Sequence, residues 1–306
     1  MKLAYLFPGQ GSQAVGMGKE FYDGFSQARD IFQAADDVLG FKISKLCFEG
    51  PEEELKLTEN TQPALLIVST IAFRLLGLKP SVAAGHSLGE YSAQVAAGTL
   101  TFEDAVLLVH KRGKYMQEAV PVGVGAMAAV LGLSYEEVES ALSQVKSGTV
   151  EIANWNSREQ IVIAGHDSAV KEALERLHPA KSVLLPVSAP FHCRLMLSAE
   201  QKLASDLDQV QFKDPEFPVI CNVDARKIIS GAEAREALKR QVTRTVRWFS
   251  SMEVLEKESV DACVELGAGR ILSGLIKRIS RKWLKAPQIF SVGDPGSLEK
   301  FQQSLD

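Results

Sequence analysis

The pentapeptide Gly-His-Ser-Leu-Gly at residues 85–89 is the feature that most constrains how this chain can fold. Small, β-compatible residues precede it at 81–84, and residues 90–97 read as the start of a helix. A G-x-S-x-G sequence between a strand and a helix predicts a nucleophile elbow, in which a sharp turn exposes the serine hydroxyl at the end of a sheet. The following helix would direct free N–H groups at the site of an oxyanion. A plain turn between two buried elements is the alternative interpretation.

The order of predicted elements indicates an α/β fold. Strands alternate with helices in the first and last thirds of the chain, a pattern that predicts one domain with a mostly parallel sheet. Residues 123–190 follow the order strand-helix-strand-strand-helix-strand, which is typical of a ferredoxin-like unit. We therefore predict an α/β-hydrolase-like core built from residues 1–122 and 191–306, interrupted by a small ferredoxin-like (βαββαβ) subdomain at 123–190.

Local patterns also predict where individual helices begin and end. One helix is predicted over residues 22–39 and a second over 63–76, which would begin with a proline as helices often do. Thr101 and Asp104 predict the N-terminus of a further helix, because a threonine followed three residues later by an acidic residue forms a capping signal. After a strand at 262–265 we predict helices alone.

Composition excludes several classes of protein. With 46% hydrophobic and 24% charged residues, the 306-residue chain is typical of a soluble globular protein with a sizeable core. The net charge of −4 gives no general attraction to nucleic acid or to anionic membranes. The longest apolar stretch, residues 64–78, contains polar residues and an arginine, so we predict a core helix there rather than a membrane span. Four cysteines without C-x-x-C spacing favour reduced thiols in a cytoplasmic protein over a disulfide framework or a zinc site.

A serine nucleophile needs a base, and the chain has five histidines. His192 lies where the chain leaves the predicted subdomain, a position that can face a cleft between two units. His86 is next to the serine and should point away from it, and His110 lies in an apolar helical run. His166 and His178 lie at turns typical of the surface. These patterns favour His192 and leave the other four histidines open.

Arg112 is a second candidate for chemistry. It lies beside Gly113 in a predicted helix, where its side chain could extend unobstructed into a cleft. A guanidinium group is the side chain best shaped to bind a carboxylate through two parallel hydrogen bonds. Spacing alone nevertheless favours the alternative, a solvated helix face.

Short motifs follow one another in a fixed order from residue 3 to about residue 280. They are FPGQGSQ at 7–13, TQPA at 61–64, GHSLGEY at 85–91, RGKYMQEA at 112–119, GAMA at 125–128, NS at 156–157, GH at 165–166, PFH at 190–192, NVD at 222–224 and Gln241. Their order and spacing resemble those of the malonyl-CoA:acyl carrier protein transacylases, acyltransferases of fatty-acid and polyketide synthesis.

The resemblance implies a ping-pong reaction. Malonyl would pass from malonyl-CoA to Ser87, and from there to the phosphopantetheine thiol of holo acyl carrier protein, supplying fatty-acid synthesis. His192 would be the base. The resemblance further implies roles for the backbone N–H groups of Gln10 and Leu88 (oxyanion hole), Arg112 (malonyl carboxylate), the backbone carbonyl of Gln241 (orientation of His192), Gln62 and Asn156 (lining or bracing the pocket), and Phe191 (malonyl over methylmalonyl).

The resemblance also implies partners and conditions. No metal or cofactor is needed for this chemistry, and a free-standing cytoplasmic monomer is expected, without nucleic acid or membrane as a partner. Acyl carrier proteins are acidic, which implies a basic docking surface. The candidate, here called the basic patch, consists of Lys277, Arg278, Arg281, Lys282 and Lys285. A solvated helix face explains these cations equally well.

Two departures and two rival functions accompany the resemblance. Ala268 and Thr245 stand at loop positions where the family usually has proline, which puts the rigidity of both loops in question. A serine hydrolase that releases the acyl group to water is one rival, although no candidate acid has a supporting motif. A non-catalytic carrier-binding module is the other, and the presence of both Ser87 and His192 argues against it.

Overall fold

The structure, a computed structural model, describes residues 1–187 and 189–305. The strands within this part of the chain are β1 (Leu3–Phe7), β2 (Val82–Gly85), β3 (Gly125–Leu131), β4 (Val150–Ser157), β5 (Gln160–His166), β6 (Lys181–Leu184), β7 (Val219–Ile220), β8 (Lys227–Ile228), β9 (Ala262–Leu266) and β10 (Gln288–Val292). They form a six-stranded sheet in the order β10-β9-β1-β2-β7-β8 and a four-stranded sheet in the order β4-β5-β3-β6.

The helices cover both sheets. They are α1 (Lys19–Gly24), α2 (Ser26–Leu39), α3 (Ile43–Glu49), α4 (Glu52–Leu55), α5 (Thr58–Leu76), α6 (Leu88–Ala96), α7 (Phe102–Glu118), α8 (Tyr135–Leu142), α9 (Asp167–Leu177), α10 (Leu197–Gln209), α11 (Gly231–Gln241), α12 (Trp248–Lys257), α13 (Ile271–Ile279) and α14 (Pro295–Gln303), with 3₁₀ turns at Arg194–Met196 and Ser280–Lys282. None of the described helices is long and apolar enough to cross a membrane.

The six-stranded sheet is parallel except for β8, which runs antiparallel to β7. Every residue of β1, β2 and β9 is buried. Central strands with helices on both faces are expected to be apolar throughout, because neither face meets water. The prediction of a mixed α/β fold with a mostly parallel sheet is confirmed.

The four-stranded sheet is antiparallel, with β3 between β5 and β6. Its strands lie within residues 125–184, and α8 and α9 pack against it. Val130, Ile163, Val138 and Val170 contribute to a separate core between this sheet and the two helices. The order of strands and helices predicted for residues 123–190 is the order found.

Two predicted helix boundaries are wrong. The helix predicted over residues 22–39 is interrupted at Phe25, whose backbone is extended. The helix predicted to begin at Pro63 begins five residues earlier, at Thr58. Proline has no N–H and would leave the carbonyl of Glu59 without its helical partner. His110 bonds that carbonyl through Nδ1 at 2.9 Å, so contact with α7 compensates for the proline inside the helix.

The prediction of helices alone after residue 265 is also wrong. β10 adds a parallel strand beside β9 at the edge of the large sheet. Of its five residues only Val292 is fully buried. An edge strand lacks the continuous apolar run of a central parallel strand, which removes the sequence signal.

Candidate active site

Ser87 lies in the sharp turn between β2 and α6, in the strand-turn-helix context of a nucleophile elbow. Its backbone has φ 53° and ψ −107°, a conformation that costs energy in a non-glycine residue. A Cβ atom on Gly85 would lie 1.9 Å from the backbone of Gly89, and one on Gly89 would lie 2.0 Å from the carbonyl oxygen of Phe7. Both glycines are therefore required by the close approach of α6 to β1 and β2.

Side chains from distant segments hold the strained turn. The N–H of Ser87 donates to Asn222 Oδ1 at 2.7 Å, and Asn222 Nδ2 donates to the carbonyl of Gly85 at the same distance. The carbonyl of Ser87 accepts from Gln241 Nε2 at 3.0 Å. The two peptide groups of Ser87 are thus fixed by bonds that leave its hydroxyl free for other partners.

His192 is placed to act as a base toward Ser87. Its Nε2 lies 2.7 Å from Ser87 Oγ, and its Nδ1 lies 2.9 Å from the carbonyl oxygen of Gln241. A carbonyl can only accept, so Nδ1 carries the proton and Nε2 is free to accept the serine proton. Burial, and then the nearby charge of Arg112, lowers the pKa of His192 to about 3. The imidazole is therefore neutral near pH 7, the form that a general base requires.

Arg112 lies in the same site, with only 1% of its surface exposed. Its Nη2 donates to Ser87 Oγ at 3.0 Å and to Gln241 Oε1 at 2.9 Å, and its Nη1 donates to Gln62 Oε1 at 2.7 Å. Its guanidinium carbon lies 5.5 Å from the ring centre of Tyr91. The solvated helix face that spacing favoured is wrong, because α7 directs this side chain inward between α5, α6 and α11.

The charge of Arg112 has no carboxylate partner. Among the described residues no aspartate or glutamate forms an ion pair with it, and its Nε is buried without a hydrogen-bond partner. Burial lowers the pKa of the guanidinium from its ordinary value. An unpaired buried cation is costly, and an incoming anion would offset that cost. The site is electrostatically suited to a substrate that brings its own negative charge.

A cavity of about 110 Å³ lies in front of the serine. Gln10 and Leu88, the two residues expected to form an oxyanion hole, both line it. Leu88 is the first residue of α6, so its N–H has no helical acceptor one turn earlier. The remaining walls combine five apolar side chains with three polar ones: Met116, Met127, Leu185, Val187 and Phe191, and Gln62, His86 and Asn154.

Gln62 and Asn156, the two residues expected to line or brace the pocket, have different partners. Gln62 lines the cavity and binds Arg112. Asn156 binds His86, whose Nε2 lies 2.8 Å from its Oδ1, and the imidazole of His86 also lines the cavity. Burial lowers the pKa of His86. Asn154, two residues earlier on β4, lines the cavity, and no pattern in the sequence distinguished it from its neighbours.

His110, His166 and His178 lie outside the cavity. His110 binds the carbonyl of Glu59, and His166 Nδ1 accepts from the N–H of Thr149 at 3.0 Å. His178 is exposed and ends α9 in the left-handed conformation. Of the five candidates, His192 is the one that the structure brings to Ser87 Oγ.

Sequence reasoning missed two residues of this site, Glu90 and Asn222. Both are fully buried, and both bind the segments that carry Ser87 and Gln241. Both stand in motifs that carry the resemblance, GHSLGEY and NVD, but no role was assigned to either, and a glutamate in the first turn of a helix commonly lies in solvent.

The basic patch is exposed but does not form one continuous surface. Lys277 lines a groove between α13 and α14, whereas Arg278, Arg281 and Lys282 line a cavity that also contains Arg158. Lys285 is paired with Asp261 at 2.6 Å. The three cations beside Arg158 therefore form a smaller cluster within the proposed patch.

The two departures at proline positions have different surroundings. Thr245 Oγ1 donates to the carbonyl of Ile152 at 2.6 Å, a bond that ties its loop to β4. Ala268 is buried between Gly267 and Gly269, both of which have positive φ. Within residues 1–187 and 189–305, no group of three or more His, Cys, Asp and Glu side chains could hold a metal ion.

Comparison with known proteins agrees with this geometry. Residues 4–278 match the acyl transferase domain family. The chain is 46% identical over 312 residues to the malonyl CoA-acyl carrier protein transacylase of Bacillus subtilis, with 99% of this chain and 97% of the relative covered. It is 44% identical over 286 residues to the enzyme of that name from Escherichia coli K12, with 91% and 93% covered.

Solved structures give the same result. The malonyl CoA-acyl carrier protein transacylase of Coxiella burnetii superposes with a TM-score of 0.95 at 41% identity, with 100% of this chain and 98% of that chain covered. A malonyl-transacylase in complex with a type II polyketide acyl-carrier protein also superposes with a TM-score of 0.95 at 41% identity, with 99% and 100% covered.

Proposed function

The chain belongs to the acyl transferase family, and from this premise we propose that it is a malonyl-CoA:acyl carrier protein transacylase that supplies fatty-acid synthesis. The observation that carries the proposal is Arg112, a buried cation that forms no ion pair with a carboxylate among the described residues and lies 3.0 Å from the Ser87 hydroxyl. A malonyl group differs from an acetyl group by one carboxylate, the group that a guanidinium binds best.

In the first half-reaction, His192 Nε2 takes the proton of Ser87 as Oγ attacks the thioester carbonyl of malonyl-CoA. The backbone N–H groups of Gln10 and Leu88 stabilise the negative oxygen that develops. The carbon–sulfur bond then breaks, and the CoA sulfur takes the proton from His192. A malonyl ester remains on Ser87.

The second half-reaction reverses these steps with a different thiol. The phosphopantetheine thiol of the carrier gives its proton to His192 while its sulfur attacks the malonyl ester. The bond to Ser87 Oγ breaks, and the proton returns from His192 to the serine. Throughout, the carbonyl of Gln241 holds the imidazole with Nδ1 protonated. This chemistry calls for no metal or redox cofactor.

Replacing Arg112 by alanine is expected to reduce kcat/KM for malonyl-CoA by about 10²-fold and to affect acetyl-CoA much less, because each lost charge-assisted bond is worth about 1.5–3 kcal/mol. Arg112→Lys keeps the charge but loses the pair of parallel N–H donors of the guanidinium group. Its kcat/KM for malonyl-CoA should therefore lie between those of wild type and Arg112→Ala. The quantity to measure is the ratio of kcat/KM for the two thioesters in each variant.

Lys111→Ala is the matched control for this experiment. Lys111 precedes Arg112 on α7, but its ammonium binds Asp206 at 2.6 Å and does not reach the cavity. Its removal should leave the malonyl/acetyl ratio unchanged. An unchanged ratio in Arg112→Ala would refute the role of Arg112 and require another source of selectivity.

Phe191 contributes to selectivity of a weaker kind. Its ring forms part of the cavity wall next to His192. A bulky ring there leaves less room for the α-methyl group of a methylmalonyl substrate. One methyl group in a pocket is worth about 1–3 kcal/mol, so the preference for malonyl should be incomplete.

The division of the chain into units supports a site between them. We assign residues 1–122 and 191–306 to an α/β-hydrolase-like core and 123–190 to a ferredoxin-like subdomain, although Ser188 and Asp306 lie outside the described residues. The strand order β4-β5-β3-β6 and the two helices packed on that sheet support the second assignment. Ser87 belongs to the core, whereas Met127 and Asn154 reach the same cavity from the subdomain.

We propose that the enzyme is a cytoplasmic monomer. We assign the docking of the acidic acyl carrier protein to the basic patch. The exposed side chains of Arg278, Arg281 and Lys282 line one cavity with Arg158, and none of them forms an ion pair among the described residues. Complementary charge raises the rate of encounter and fixes orientation. Lys277 and Lys285 would contribute at the margins.

Reversing two of these charges, Arg278→Glu with Arg281→Glu, is expected to raise KM for acyl carrier protein about tenfold. The rate of malonyl-serine formation from malonyl-CoA should not change, because the carrier takes no part in that half-reaction. The difference from wild type should shrink in high salt. Lys171→Glu on α9 is a control with the same kind of charge change outside the patch. An unchanged KM in the double variant would place the docking surface elsewhere.

A further inference from the structure

Glu90 is a fully buried carboxyl in the active-site region with no part in the chemistry described above. It lies in the first turn of α6, three residues after the nucleophile, with 0% of its surface exposed. Burial raises the pKa of this carboxyl to about 7. Within the described residues it forms no ion pair, so a salt bridge does not explain its position.

One oxygen of Glu90 receives two hydrogen bonds. Its Oε2 accepts from the N–H of Asn222 at 2.9 Å and from Gln241 Nε2 at 2.8 Å. Its Oε1 is buried and has no hydrogen-bond partner among the described residues. A single acceptor oxygen thus joins the segment after β7 and the end of α11 to the helix that begins at the nucleophile.

The two residues held by Glu90 in turn hold the reacting groups. Asn222 Oδ1 binds the N–H of Ser87. Gln241 orients His192 through its backbone carbonyl and binds Arg112 through its side-chain oxygen. Because Gln241 Nε2 points toward Glu90, the other end of the same amide presents its oxygen to Arg112. The carboxyl therefore contacts neither substrate nor base, yet it connects to the nucleophile, the base and the cation.

We propose that Glu90 is a positioning residue that acts as a hydrogen-bond acceptor, fixing Gln241 and Asn222 so that Arg112 and His192 face the Ser87 ester. Both bonds end on one oxygen, Oε2, and no cation among the described residues is hydrogen-bonded to it, so the charge of Arg112 acts on the carboxyl only through space. This inference rests on the proposed function, because selectivity for malonyl reports the position of Arg112.

Two substitutions of Glu90 separate the effect of its acceptor oxygen from the effect of its side-chain length. Glu90→Gln keeps the length and one acceptor oxygen, and Glu90→Met keeps the length without an acceptor. For Glu90→Met we expect kcat/KM with malonyl-CoA to fall about tenfold to a hundredfold, and the malonyl/acetyl ratio of kcat/KM to fall about fivefold or more. Glu90→Gln should keep both quantities within about threefold of wild type.

Gln94→Met is the matched control. Gln94 lies one turn further along α6 and is equally buried, and within the described part of the chain neither side-chain amide atom has a hydrogen-bond partner. Its substitution should leave the malonyl/acetyl ratio at the wild-type value. In an Arg112→Ala background, Glu90→Met should cause no further fall in the ratio, because its effect on selectivity passes through Arg112.

Several outcomes would overturn the inference. The first is that Glu90→Met loses kcat/KM equally with malonyl-CoA and acetyl-CoA. The second is that Glu90→Gln loses as much activity as Glu90→Met. The third is that Glu90→Met lowers the malonyl/acetyl ratio further in the Arg112→Ala background. If Glu90→Met does not fold, as judged by its thermal transition, Glu90→Gln decides, and a ratio more than about threefold below wild type refutes the acceptor role. Wild-type protein that forms no malonyl-serine would instead refute the proposed function itself.

Discussion

Replacing Ser87 by alanine is expected to abolish malonyl transfer and to leave the fold intact. The bonds that hold the strained turn come from the N–H and carbonyl of residue 87, which alanine retains. Among the described residues the hydroxyl has two hydrogen-bond partners, His192 Nε2 at 2.7 Å and Arg112 Nη2 at 3.0 Å. Its loss therefore removes the nucleophile and little else.

Mass spectrometry after a brief incubation with malonyl-CoA measures this directly. Wild-type protein should carry a malonyl adduct on Ser87 that persists until carrier is added, and Ser87→Ala should carry none. A hydrolase would instead release free malonate without carrier. Ser92→Ala is a suitable control, since Ser92 lies on the same helix, is buried and has an unpartnered hydroxyl.

Transfer by Ser87→Ala at a rate near wild type would place the nucleophile elsewhere. Cys193, beside the proposed base, is the next candidate, and the structure argues against it. Its thiol is buried and donates to the carbonyl of Pro190, and burial raises the pKa of the thiol to about 12. A thiol held in its protonated form is a poor nucleophile.

Replacing His192 by alanine is expected to slow both half-reactions by about 10²–10⁴-fold, because the same imidazole moves the proton in each. Rates of malonyl-serine formation and of its discharge to carrier should be measured separately. His178→Asn is the control, since asparagine tolerates the left-handed backbone of that exposed helix end. A larger loss on replacement of His166 than of His192 would show that the base is misassigned.

The pH dependence of the wild-type enzyme tests the same assignment. A base acts in its neutral form, and the pKa of His192, lowered to about 3, keeps it neutral far below the ordinary value near 6.5. The rate of serine acylation should therefore stay level as the pH falls through about 6.5. A decline centred near that value, while the thermal transition is unchanged, would contradict a buried, neutral His192.

The elbow was predictable from sequence because its causes are local. Gly85 and Gly89 are required where one strand and one helix approach, and the strand, serine and helix follow one another directly. The capping signal at Thr101 is equally local, and its hydroxyl does accept from the N–H of Asp104. The parallel sheet was predictable for a related reason, since buried strands read as short apolar runs between helical patterns.

Sequence patterns gave wrong predictions where a contact with a distant residue determines the structure. α5 extends through Pro63 because His110, on another helix, satisfies the carbonyl that proline leaves free. Arg112 resembled a surface cation because spacing describes one helix and not what packs against it. The resemblance implied its role, and burial between distant segments gives that role a physical basis.

Local patterns in the sequence were enough to identify the elbow serine as the candidate nucleophile, the mixed α/β fold and a short set of candidate partners for the serine. The packing of distant elements brings His192, 105 residues away, to Ser87 Oγ, and it lets Gln241, 154 residues away, bind both the turn and His192. It also brought Glu90 into contact with Asn222 and Gln241. Hydrogen bonds between such distant residues leave no periodic trace in the sequence, because they depend on how whole elements pack.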